Sequence, residues 1–203
     1  MKINTRSITL AATLAALCAV TGFLPYVFFL PVTVAAATLS VGMVAFVGLA
    51  FGCISLAYSF VMPMSLVSMA FVQAPYIAII PRVIAALGCF FVHKLLVKVI
   101  PQSGRGGRVA SVAVSAALGS LFNTALVVGM LVLIMPSLEM GGVTMIAYVP
   151  AMLISGAIEC ACMAALTPGV ALTLDRVVFK KRVPSAKCKA EKVSAQSSHN
   201  IGQ

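Results

Sequence analysis

The sequence is short of charge, and shortest of acid: four Asp and Glu residues stand against fourteen Lys and Arg among 203. Charged residues make up 9% of the chain and tryptophan is absent, whereas soluble domains carry about 25% charged residues. A soluble fold of this size cannot hide a chain that is 62% apolar. Catalytic equipment is missing as well. Neither histidine falls inside an apolar run's interior, His93 lying at the end of one and His199 in the tail. No His/Glu metal motif, nucleophile elbow or Gly-rich phosphate loop ending in Lys-Ser or Lys-Thr occurs. The expectation is therefore a non-enzyme with no cofactor and no metal, and certainly not its own ATPase. The cysteines form no Cys-x-x-Cys pair, and five of the six (Cys18, Cys53, Cys89, Cys160 and Cys162, leaving Cys188) lie in apolar runs. Buried free thiols follow, not a disulfide framework. Cys160 and Cys162, two residues apart, would not share a helix face.

What the chain does have is apolar runs near or beyond the ~20 residues that cross a ~30 Å hydrocarbon layer. Lys and Arg cluster at the N-terminus, at 94–108 and at 176–192, always beside such runs. That pattern belongs to cytoplasmic loops and excludes nucleic acid as the reason for the net charge of +10. Lys2 and Arg6 put the start inside, and Lys94, Lys98, Arg105 and Arg108 put the middle loop inside, so an even number of crossings separates them. Residues 7–24, read as a retained first helix, make one and 76–99 make another. The run 27–60 must supply two, because 34 residues would make a single helix of roughly 51 Å. It is expected to fold back near Ser40 to Gly42. Residues 109–135 then go out and 145–174 return. The outer loops at 25–31, 60–75 and 136–144 hold no Lys or Arg, and Glu139 is their only charge. The fold class is thus an all-α integral membrane protein of six transmembrane helices with both termini cytoplasmic. Residues 1–184 form the membrane domain in the lipid bilayer, and 185–203 a polar basic tail. Pro81, Pro150 and Pro168 fall in or near helix ends, where a missing N–H frees a carbonyl.

Ionisable groups at membrane depth are rare and mark function by default. Arg82, six residues into its span, would lie ~9 Å below the outer end. Glu159 lies halfway along the last span and Asn123 reaches a similar level on the one before. Two arrangements fit. The three residues build a polar pocket open to the outside, in which Arg82 takes a carboxylate, or Arg82 and Glu159 neutralise each other as a structural pair. Gln73, Tyr76 and Tyr148 stand near the outer mouth as further hydrogen-bonding groups. Small residues recur at close spacing in the first span, Ala11, Ala15 and Ala19 on one stripe and Ala12 and Ala16 on the next. Such stripes let membrane helices approach, either within the chain or against a partner. Gly48 and Gly52 repeat the device, and internal packing is expected of them.

The stretches Gly48-Leu-Ala-Phe-Gly52, Ile79-Ile-Pro-Arg82, Leu118-Gly-Ser-Leu-Phe-Asn-Thr124 and Ile158-Glu159 follow one another on successive spans. Together, over residues 7–175, they resemble the substrate-binding S components of energy-coupling factor (ECF) vitamin transporters. The Pro-Arg and Asn-Thr pieces are most similar to the pantothenate and cobalamin branch. The resemblance implies a non-catalytic, multi-pass subunit of a prokaryotic plasma membrane that captures a B vitamin or related micronutrient outside and releases it inside. A transmembrane T component and two cytoplasmic ATPases would be its partners, with the alanine stripe docking on the T component. Two departures are visible. Ser40-Val-Gly-Met43 replaces a Gly-Pro-basic turn, and Ser155-Gly156 stands where relatives often place Asn before the Glu. Outside the resemblance, the same residues suit a stand-alone gradient-driven permease, with Glu159 as its proton site, or a structural membrane subunit.

Overall fold

The computed structural model describes residues 5–22, 24, 26–62, 65–100, 105–140 and 142–177. The tail 185–203, with Cys188 and His199, and the N-terminal Lys2 lie outside the described residues. The chain divides into two units, Met1–Ala171, which holds the helical bundle, and Leu172–Gln203, of which the described part is the last turns of the final helix.

The architecture is all-α. Its elements are α1 (Thr5–Thr21), α2 (Leu30–Thr38), α3 (Val41–Val61), α4 (Leu66–Gln73), α5 (Pro75–Val99), α6 (Arg105–Ile134) and α7 (Met145–Val177). Before α7 a tiny antiparallel pair, β1 (Glu139–Met140) and β2 (Val143–Thr144), turns at Gly142 with φ +81°. Four helices are long and apolar enough to cross a membrane: Val41–Val61, Pro75–Val99, Gly106–Ile134 and Met145–Leu174. Their outer faces suit lipid. Phe46, Leu49 and Phe60 on α3, Phe91 and Leu95 on α5, and Leu153 and Ile154 on α7 are all exposed. Among the buried residues are Thr33, Ser55, Ser59, Ser111, Ser115, Ser120 and Thr167. Apolar outside and partly polar inside is the distribution that a hydrocarbon solvent selects.

The run 27–60 is broken as expected, at Leu39 and Ser40, whose extended ψ values of 172° and 159° interrupt the helix. The first piece differs from the expected span. α2 has nine residues, roughly 14 Å of helix, because Tyr26 to Phe29 lie in turns, Tyr26 with a φ of +70°. The chain enters regular helix only at Leu30, with Pro31 placed in the first turn where its missing N–H costs nothing. α2 is buried along almost its whole length, from Pro31 to Ala36. α1, at 17 residues, also falls short of ~30 Å.

Close approach joins α3 to α5. A Cβ on Gly48 would come within 2.7 Å of the Ala86 Cβ, and one on Gly52 within 2.9 Å of the Ile79 Cα, so both glycines pack internally, as the sequence reading expects. α5 meets α6 in the same manner through Gly119 against Cys89. The Tyr58 hydroxyl donates to the Ala19 carbonyl and ties α3 to α1. α7 is the least enclosed of the four long helices: 11% of an apolar 18-residue stretch of it is buried, against 33% to 44% for the others. Its ties include Gly156 closing on Thr124 of α6 and a buried hydroxyl pair, Thr33 and Thr167, 3.0 Å apart.

Candidate functional site

Residue 82 stands one full turn into α5 beyond Ala78, and its side chain folds back along the helix. Nη1 donates to the Ala78 carbonyl at 2.9 Å, and the guanidinium lies 5.4 Å from the Phe51 ring centre and 4.7 Å from that of Phe71. Two aromatic faces from α3 and α4 thus hold a cation that is 7% exposed. The Nε atom is buried without a hydrogen-bond partner. Pro81, inside α5, removes the N–H that would bond the Ile77 carbonyl one turn earlier.

α4 is what brings Phe71 to this place. Ser65 caps it, its Oγ accepting from the Ser68 backbone N–H at 3.1 Å, and Leu66, Ala70 and Phe71 are buried along one side. The loop expected at 60–75 therefore contains a helix, too short to span and so invisible to span counting. With Ala74, Ile77, Val127, Leu131 and Met145, the buried face of α4 forms an apolar cluster beside the arginine.

Arg82, Asn123 and Glu159, on α5, α6 and α7, line one cavity of about 230 Å³. Thr124, Tyr148 and Ser155 add hydroxyls to its wall, and Val67 of α4, Val127 and Met152 add apolar surface. α7 presents Tyr148, Met152, Ser155 and Glu159, spaced by four, three and four residues, which is one helical face. Among the described residues, Arg82 and Glu159 make no direct ion pair, although their charges act on each other. Asn123 is buried, and its Oδ1 has no hydrogen-bond partner. A cation, an anion and an amide thus share one small chamber with donors and acceptors unspent, the equipment of a polar ligand site.

The remaining sequence-predicted residues divide. Tyr148 lines the cavity, whereas Gln73 and Tyr76 are exposed and are not among its lining residues. Tyr76 stands six residues before Arg82, roughly 120° around the helix from it. Of the alanines, Ala11 is 1% exposed and packs inside the chain, so it is withdrawn from any outer docking face. Ala15 is half-buried, and Ala12, Ala16 and Ala19 are exposed. Phe71, Val67 and Met152 were not singled out by their sequence positions, and Phe51 and Thr124 entered only as parts of the stretches that carry the resemblance. The four-three-four spacing back from Glu159 is the signal that marks Met152 and Ser155. Set against known proteins, the chain matches no family model and no curated protein.

Proposed function

We propose that this protein is the substrate-binding S component of an ATP-driven ECF importer, capturing a B vitamin or related micronutrient outside a prokaryotic plasma membrane. In this reading the chain crosses six times with both ends in the cytoplasm, α1 making one short crossing and α2 together with the turns before it the other. It catalyses nothing itself, and a T component with two ATPases supplies the energy. The observation that carries the reading is the convergence of Arg82, Asn123 and Glu159 from three helices on one cavity. Charged groups are costly at that depth, and their gathering around an open chamber supports ligand capture over structural pairing. The order of the sequence pieces that resemble the family adds to it. The exposed Ala12, Ala16 and Ala19 offer a close-packing surface to a partner helix. The chain purified alone in detergent, titrated with vitamins by calorimetry, is expected to bind one without ATP, pantothenate being the first to try. Absence of binding to any vitamin or related micronutrient, with no T component or ATPase co-purifying from the host, removes the proposal.

A further inference from the structure

The charges in the cavity wall balance. In formal charge Arg82 contributes +1 and Glu159 −1, and the other lining residues are uncharged, so the chamber's formal net charge is zero. The two groups nevertheless do not consume each other in a direct ion pair among the described residues. Where water is scarce, each additional unpaired charge is expensive. A monoanion such as pantothenate satisfies Arg82 but leaves the site with one net negative charge facing Glu159. A cation has the opposite fault. A molecule carrying both signs satisfies both walls and leaves the total at zero. Arg82 offers donors only and the Glu159 carboxylate acceptors only, while Asn123 and the Thr124, Tyr148 and Ser155 hydroxyls can serve either sign. At about 230 Å³, the chamber is smaller than the usual ~300–1,000 Å³ ligand pocket, and a guest of amino-acid size fits it.

We propose that the cavity takes a small amino-acid-like zwitterion, its carboxylate against the Arg82 guanidinium and its ammonium against the Glu159 carboxylate. This inference rests on the cavity being a ligand site, and narrows the ligand away from simple vitamin acids.

The test uses the full chain in detergent, with binding read by calorimetry and by thermal shift. The probes are neutral α-amino acids and betaines, the N-acetyl derivatives of the same amino acids with pantothenate as monoanions, and the amino-acid amides as cations. At least one zwitterion is expected to bind, with its N-acetyl and amide forms weaker by about tenfold or more. Glu159→Gln is expected to reverse the order, so that the N-acetyl form binds better than to the native chain; a misfolded variant cannot gain a ligand. A monoanion that binds the native chain as tightly as any zwitterion, or binds with uptake of one proton, overturns the zwitterion and leaves the binding-subunit reading standing. Silence from every probe and every vitamin in a chain that still melts cooperatively overturns both.

Discussion

The Arg82 guanidinium carbon lies 4.7 Å from the centre of the Phe71 ring, so the charged residue of α5 is seated on the eight-residue helix that precedes it. Replacing the ring by an aliphatic side chain keeps apolar volume and removes the face that the cation rests on. Phe71→Leu is expected to weaken ligand binding several-fold, in line with ~0.5–2 kcal/mol for such a contact. Arg82→Lys, which keeps the charge and loses the planar fork, is expected to cost more. Calorimetric titration of both variants measures the difference.

Asn123 separates stability from binding. Its Oδ1 is buried and unpaired in the free chain, a condition that costs ~1–3 kcal/mol. Asn123→Leu is therefore expected to leave the melting temperature unchanged or higher while abolishing ligand binding. A large fall in melting temperature would show instead that the amide supports the fold.

The α3–α5 contact is tested by a pair of glycines. Gly52→Ala would drive a methyl group to 2.9 Å from a backbone carbon, Ile79 Cα, and is expected to cost ~1–3 kcal/mol. Gly42→Ala meets nothing within 4 Å and sits in the first turn of α3, so it should be neutral or stabilising by up to ~1 kcal/mol. Thermal melts of the two variants in one detergent give the comparison.

Thr33 donates to the Leu30 carbonyl, and with a single hydroxyl proton it must accept from Thr167. A double-mutant cycle with Thr33→Val and Thr167→Val is expected to yield a coupling of about 0.6 kcal/mol, typical of hydrogen bonds between membrane helices. Additive losses would mean that the hydroxyls do not support each other.

The first helix gives a prediction with opposite signs on adjacent residues. Ala12→Trp and Ala16→Trp alter exposed positions and should spare ligand binding while stopping uptake by a reconstituted transporter. Ala11→Trp enters a site that is 1% exposed and should damage the fold itself. Binding and uptake assays run side by side distinguish the two outcomes.

Much of this was legible in the residues, and what was not has physical reasons. Hydrophobic length revealed the long helices, and the arithmetic on 27–60 located the break at Leu39 and Ser40 within a residue or two. The rarity of buried charge picked out Arg82 and Glu159, and Asn123 was joined to them by its similar level on the neighbouring span. Length arithmetic has no view of a helix too short to span, so α4 went unseen although Ser65 and the buried side of Leu66, Ala70 and Phe71 carry its signature. The same arithmetic overestimated α2, because turns consume residues without advancing the chain across the layer. Gln73 and Tyr76 are exposed and do not line the cavity, because closeness in sequence to the outer loop says nothing about direction around a helix.

α7 is the least enclosed of the long helices and presents Ser155 and Glu159 to the cavity, so in a bilayer the outer side of this helix would meet acyl chains. Lipid would then form the back of the cavity wall, and the proposed ligand is expected to bind with different affinity in short-chain and long-chain bilayers.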